Sequence, residues 1–128
     1  MKNFETFLAS YIAAMLWSST GTDQNGEELE SLEGFELSTE AYRHAREDCE
    51  LFLIAGKYLM AELPDFYGAC VKGGAYAYAG HDFWLTRNGH GAGFWDRGLE
   101  DIGDRLTELS KTFGELDPYI GDDGKIYF

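Results

Sequence analysis

The segment His81–Arg97 concentrates the side chains of this sequence that are suited to chemistry or to ligand binding. It reads HDFWLTRNGHGAGFWDR, with two Trp, two Phe, two His and two Arg interleaved with glycines. Histidine titrates near neutral pH and serves as an acid, a base or a metal ligand, while aromatic rings supply binding area. The dipeptide Asn88-Gly89 favours a turn that folds the segment back on itself. The side chains that would then form a ligand site are His81, Asp82, Trp84, Arg87, Asn88, His90 and Trp95.

A second interpretation of this segment is purely structural. Polar side chains commonly hydrogen-bond the exposed backbone of glycine-rich loops, and the aromatic side chains would anchor such a loop in the core. His81, His90 and Asp96 offer two imidazoles and a carboxylate, but their spacing matches no metal-binding signature. The sequence also lacks a serine nucleophile elbow, a phosphate-binding loop, a zinc-protease helix and a calcium-binding loop. We therefore predict no metal, no cofactor and no catalytic residue.

The sequence is strongly acidic, with 23 Asp and Glu against 10 Lys and Arg and a net charge of −13. Because nucleic-acid binding requires Lys and Arg to neutralise phosphates, we expect no direct binding to DNA or RNA. Acidic side chains can instead imitate the spacing of phosphates and meet a basic protein surface, although most acidic surfaces are simply solvated. The residues predicted to contact such a protein partner are Glu27, Glu28, Glu30, Glu33, Asp101, Asp104 and Glu108.

Three segments that repeat apolar residues at helical spacing would form the scaffold for these groups. They cover residues 3–18, 38–63 and 96–116. Ser38 is a good N-cap for the second of them. Gly56 lies in the middle of the same segment, where glycine costs about 1 kcal/mol relative to alanine and permits close contact with another helix. Leu53, Ile54 and Met60 widen the apolar face of this segment, so the second helix is predicted to be central.

The remaining segments predict a loop and a small antiparallel sheet. Residues 19–36 lack periodicity and contain turn residues, which is typical of a loop. Residues 69–79 are small and glycine-rich and fit either a short strand or a close helix–helix contact. We expect strands at 81–87 and 92–95, and a hairpin at 119–128. The prediction is an α+β fold, mainly helical, with three principal helices and a small antiparallel sheet.

Three general features of the sequence indicate the class of protein: its length, its cysteines and its apolar segments. A chain of 128 residues with 45% hydrophobic residues is expected to fold as a single domain over 1–128. Cys49 and Cys70 fit no metal or redox spacing, which favours free thiols and a reducing compartment. The apolar run 4–17 is shorter than the roughly 20 residues that span a bilayer. We expect a cytoplasmic protein that does not contact membranes.

The run AGHDFWLTRNGHGAGFWDRG, followed by an acidic amphipathic segment and YIGDDGKIYF, resembles small uncharacterised proteins of bacteriophages and mobile elements. The resemblance covers residues 79–128 and carries no known activity or catalytic residue. It implies a context, because small acidic phage proteins often inhibit host restriction or CRISPR systems. We therefore expect a non-enzymatic phage accessory protein that binds a host protein with a basic surface. The alternatives are a small enzyme or ligand-binding domain that uses the His81–His90 segment, and a virion or assembly protein.

Overall fold

A computed structural model describes residues 2–128 and has the α+β architecture that the sequence predicts. Its helices are α1 (Lys2–Ser18), α2 (Thr39–Ala55), α3 (Lys57–Ala61), α4 (Gly74–Arg87) and α5 (Asp101–Lys111), with a short 3-10 helix at Phe94–Asp96. Its strands are β1 (Gly21–Thr22), β2 (Glu28–Leu29), β3 (Tyr119–Ile120) and β4 (Ile126–Tyr127). The pairs β1–β2 and β3–β4 are antiparallel and form two separate two-stranded sheets.

The core lies between α1, α2 and α4 and is largely aromatic. α1 packs along α4, and the ring centroids of Phe7 and Tyr11 lie 6.0 and 5.2 Å from that of Phe83. Phe52 of α2 stacks on both Phe83 and Phe7, with centroid distances of 4.2 and 5.5 Å. The rings of Trp84 and Tyr11 are perpendicular, with their centroids 5.4 Å apart. Offset and edge-to-face contacts of this kind are the favoured aromatic geometries, and they hold the three helices in register.

The predicted helix at 38–63 forms, but as two helices that meet at Gly56. The backbone hydrogen bonds continue across this residue, since its N–H donates to Phe52 at 2.8 Å and its carbonyl accepts from Met60 at 2.8 Å. A Cβ on Gly56 would lie 3.1 Å from the side chain of Leu109 in α5. The glycine therefore permits the close contact between helices that its position predicted.

Ser38 caps α2 as predicted, because its buried hydroxyl accepts the N–H of Ala41 at 3.0 Å. We expect Ser38→Ala to lower the free energy of unfolding by about 1 kcal/mol, since it leaves a helix N–H without its acceptor. Urea denaturation followed by circular dichroism measures the change. Ser38→Gly is the matched control and should cost only a few tenths of a kcal/mol relative to Ser. Equal stability of the alanine variant and the wild type would contradict the capping role.

The predicted strand at 81–87 is wrong, since these residues form the last two turns of α4. Phe83, Trp84 and Leu85 are consecutive and all buried. A helix surrounded by protein carries no polar face, so it lacks the apolar stripe that marks a surface helix. In the preceding segment, residues 69–73 form turns and residues 74–79 form the first part of α4.

Two further boundaries differ from the predictions. The expected strand at 92–95 is absent, and Phe94–Asp96 forms a turn of 3-10 helix instead. The third principal helix begins at Asp101 rather than near Asp96, because Gly98 and Glu100 adopt positive φ angles of 68° and 58°. Left-handed backbone conformations end a helix and cannot lie within one.

The segment 19–36 contains the small hairpin β1–β2 rather than an irregular loop alone. The Asp23 carboxylate accepts the N–H groups of Asn25 and Glu27, each at 2.9 Å, and so forms the turn. Leu32 is fully buried and anchors the segment to the core. The hairpin predicted at 119–128 is confirmed as β3–β4.

Candidate functional site

Asp82 is the centre of a buried polar cluster on α4. Its Oδ2 accepts the Tyr67 hydroxyl at 2.7 Å, and Arg97 donates to both oxygens, from Nη2 to Oδ1 at 2.7 Å and from Nε to Oδ2 at 3.1 Å. The Nδ1 atom of His81 lies 3.1 Å from Oδ1. Burial by itself raises the pKa of Asp82, but the hydrogen bonds from His81, Arg97 and Tyr67 outweigh it, and the pKa falls below its ordinary value. Asp82 is thus an internal counterion at neutral pH.

His81 is the part of this cluster that reaches solvent. Its side chain is about a quarter exposed, and its ring stacks between Trp17, at 5.8 Å between centroids, and Tyr78, at 5.9 Å. The Arg97 guanidinium lies 4.5 Å from the centroid of the Tyr78 ring. These stacking contacts fix the imidazole against the protein, so the side chain joins the cluster to its aromatic cover.

Arg87, a member of the predicted ligand site, is instead a buried structural group. Its Nη1 donates to the Asp48 carboxylate at 2.8 Å and to the Tyr11 hydroxyl at 2.9 Å. Nε and Nη2 donate to the carbonyl oxygens of Gly114 and Phe113, both at 2.8 Å. One guanidinium therefore ties α1 and α2 to the residues that follow α5, and its donors are turned away from solvent.

Trp84, Asn88 and His90 line one cavity of about 350 Å³ at the end of α4. The Trp84 indole N–H donates to the Ser18 hydroxyl at 2.9 Å. The Asn88 amide donates to the Trp84 carbonyl at 2.9 Å and accepts the N–H of Leu116 at 2.8 Å. The polar groups of Trp84 and Asn88 are thus satisfied by partners within the protein.

The seven residues of the predicted ligand site are thus divided among different environments. His81 and Asp82 belong to the buried cluster, and Arg87 is internal. Trp95 is half exposed on the 3-10 helix. His81 and His90 take part in different sets of contacts, and the cavity gathers only the three residues at the end of α4.

All seven acidic residues that were predicted to contact a partner are exposed. We define the hairpin surface as Glu27, Glu28, Glu30 and Glu33, and the α5 surface as Asp101, Asp104 and Glu108. In the described part of the chain, no basic side chain forms an ion pair with the four hairpin carboxylates. On the α5 surface, Asp101 pairs with Arg105 at 2.9 Å. The hairpin surface therefore carries the less neutralised charge.

Comparison of the chain with protein-family models, with curated proteins and with solved structures found no match.

Within residues 2–128, no group of three or more His, Cys, Asp or Glu side chains is placed to hold a metal ion. None of the helices in this range combines the length and the hydropathy of a membrane span. Cys49 and Cys70 are free thiols, the first buried and the second exposed. Burial raises the pKa of the Cys49 thiol, so this cysteine remains protonated and unreactive.

Sequence reasoning missed an exposed apolar surface on α2 and α3. Ile54 was expected to widen the apolar face of its helix, but it faces solvent, as do its neighbours Leu51 and Tyr58. We call these three residues the α2–α3 apolar patch. Their spacing of three and four residues signals a shared helix face, but it does not say whether that face lies inside or outside the fold.

Proposed function

We propose that this protein is a non-enzymatic binding protein whose acidic surface contacts a host protein with a basic, nucleic-acid-binding surface. The observation that carries the proposal is the location of the surplus charge. Two arginines are used internally, in the pairs Arg87–Asp48 and Arg97–Asp82, and these pairs remove equal numbers of positive and negative charges. The whole net charge of −13 therefore remains on the other side chains. Such a field attracts basic proteins and repels phosphates.

The hairpin surface is the main contact in this proposal. Its four carboxylates project from a short segment that is fixed at one end by the Asp23 turn and anchored by the buried Leu32. A fixed array of unpaired carboxylates meets Lys and Arg side chains without a large loss of conformational freedom. Complementary charge also accelerates and orients the encounter.

The resemblance of residues 79–128 to small phage proteins supplies the biological context of the proposal. A phage accessory protein gains from occupying a host defence protein that normally holds DNA or RNA, as inhibitors of restriction and CRISPR systems do. The protein would then act in the host cytoplasm as a mimic of nucleic acid. The partner is defined by its chemistry, a groove rich in Lys and Arg that binds phosphates.

The proposal predicts salt-sensitive and DNA-sensitive capture of basic proteins. We expect the immobilised protein to retain nucleic-acid-binding proteins from a bacterial lysate at about 50 mM NaCl and to release them at about 500 mM, where charges are screened within a few ångströms. Added double-stranded DNA should displace the same proteins by competing for their basic surface. Mass spectrometry of the retained proteins, with and without salt or DNA, makes the measurement.

Charge-reversal variants locate the contact. The variant Glu27→Lys/Glu28→Lys/Glu30→Lys/Glu33→Lys should lose most of the capture. The matched control reverses four exposed acids outside both defined surfaces and changes the net charge equally, by replacing Asp65, Asp96, Glu115 and Asp122 with Lys. Equal loss in both variants would show a response to net charge alone, and capture that persists at high salt would show that the acidic surface is not the contact.

A further inference from the structure

We infer that the α2–α3 apolar patch is a docking surface for an amphipathic helix of a partner, one whose apolar face is flanked by Lys or Arg. This inference rests on the proposed function and makes it more specific, because it names the part of the partner that is recognised. It depends on the exposure of the patch, on its continuity across two helices and on the charges around it.

The patch is too exposed to be an extension of the core. Leu51, Ile54 and Tyr58 are 54%, 65% and 78% exposed. The core side of the same helices is filled separately by Cys49, Phe52 and related residues. Single exposed apolar residues are common, but neighbouring ones on a single face are a mark of interaction sites.

The patch is continuous although it spans the junction of α2 and α3. The hydrogen bonds from Gly56 to Phe52 and from Met60 to Gly56 keep a helical spacing of four residues through the junction. Leu51, Ile54 and Tyr58 therefore follow one another along a single ridge. A ridge of this kind suits a second helix, which meets it with residues three and four apart.

The charges around the patch select the occupant. Glu47, Glu50 and Glu62 are exposed and lie one helical turn from Leu51, Ile54 and Tyr58, respectively. None of the three glutamates forms an ion pair within residues 2–128. The positive charge nearest to the patch in sequence is Lys57, whose amino group lies 5.9 Å from the Tyr58 ring centroid. An acidic border around an apolar centre complements an apolar helix face bordered by Lys and Arg.

The same charges disfavour other occupants. A second copy of this chain would bring the three glutamates of each molecule together, while each copy carries a net charge of −13. An anionic lipid surface would meet the same repulsion. A basic amphipathic helix is the occupant whose apolar and charged groups both find partners.

The test uses the full chain and two fluorescent peptides of identical composition. One peptide places Leu on a single helical face with Lys on its borders, and the other rearranges the same residues so that no apolar face forms. Fluorescence anisotropy at about 150 mM NaCl, a physiological ionic strength, measures both affinities. We expect the amphipathic peptide to bind at least about tenfold more tightly, and amide NMR shifts to concentrate in residues 47–62.

Variants separate the patch from the acidic surface. Ile54→Ser/Tyr58→Ser should remove the difference between the peptides. The control Trp95→Ser/Tyr119→Ser replaces two exposed aromatic residues outside the patch and should retain the difference. Thermal unfolding confirms that each variant is folded. Reversal of Glu47, Glu50 and Glu62 to Lys should weaken binding of the amphipathic peptide, while reversal of the hairpin surface should leave the difference between the peptides in place.

Equal binding of the two peptides, or undiminished binding to the Ile54→Ser/Tyr58→Ser variant, would overturn the docking surface. The proposed function would survive that result if basic proteins were still captured in a salt-sensitive way through the hairpin surface. Binding at the patch that does not weaken with salt would overturn the choice of a basic occupant. A dimer in analytical ultracentrifugation that the patch variant abolishes would overturn it in favour of a second copy.

Discussion

Asp82→Asn is expected to lower the free energy of unfolding by about 3 kcal/mol, within the range found when one partner of a buried ion pair is removed. The carboxylate is fully buried and accepts hydrogen bonds from Tyr67 and twice from Arg97. An amide in its place keeps the shape but leaves the Arg97 guanidinium, itself largely buried, without a counterion. Chemical denaturation at pH 7 measures the loss.

A double-mutant cycle with Arg97→Met provides the control for this prediction. Removing both charges leaves no buried ion unpaired, so the double variant should be destabilised by clearly less than the sum of the two single variants. Additive effects would show that the two side chains do not act as a pair. Arg97 is also stacked on Tyr78, and methionine preserves part of that apolar contact.

The lowered pKa of the Asp82 carboxylate also fixes the direction in which the stability of the protein changes with pH. Because the pKa of Asp82 is lowered in the folded protein from its ordinary value of 3.8, its stabilising effect is complete above that value. The effect is lost as the pH falls below 3.8 and through the folded-state pKa. The difference in unfolding free energy between the wild type and Asp82→Asn should therefore be largest near neutral pH and shrink in strong acid. A difference that stays constant down to low pH would contradict the assignment.

The sequence predicts the amphipathic parts of this fold well, and it fails where a helix has no exposed side. The helix at 38–63 has a clear apolar stripe and a capping Ser38, and both predictions are confirmed apart from the break at Gly56. α4 is enclosed by α1, α5 and the 3-10 helix, so its residues face protein on most sides. When all sides of a helix are buried, its sequence loses the regular alternation of apolar and polar residues. The consecutive apolar residues of α4 then look like the continuous apolar run of a buried strand.

Local sequence patterns also could not predict which buried polar residues form pairs. Asp82 meets Arg97 across 15 positions, and Arg87 meets Tyr11 across 76. Only the packing of distant helices brings these groups together, and a single sequence does not show which residues pair across such separations. The buried charges themselves were the available clue, because Asp and Arg within an apolar run require partners.

The internal use of two arginines links the stability of the fold to its outer charge. Arg87 and Arg97 pair with the carboxylates of Asp48 and Asp82, and Arg87 also donates to two carbonyl groups. Neither arginine therefore neutralises the exposed acids. The repulsion among those acids opposes compaction and must be balanced by the aromatic core and these internal pairs. The stability supplied by the core and by these internal pairs allows the protein to keep an acidic surface. The proposed function requires such a surface.

Gly80→Ala is expected to cost about 3 kcal/mol of unfolding free energy, the upper end of the usual range for overpacked cores. α1 and α4 approach so closely at this position that a Cβ on Gly80 would overlap the carbonyl oxygen of Phe7. Because a backbone carbonyl cannot rotate away as a side chain can, the two helices must separate. The separation would loosen the contacts of Phe7 and Tyr11 with Phe83.

Helix propensity alone would make Gly80→Ala more stable than the wild type, which is the opposite of the result expected from packing. Alanine is favoured over glycine within a helix by about 1 kcal/mol, so any loss in Gly80→Ala arises from packing. Gly91→Ala is the matched control, since no atom lies within 4 Å of a Cβ at that position, and its stability should stay within about 0.5 kcal/mol of the wild type. Thermal unfolding monitored by circular dichroism compares the two variants. If Gly80→Ala is as stable as Gly91→Ala, the backbones of α1 and α4 do not meet at this glycine, and the central helix pair of the fold must be arranged differently.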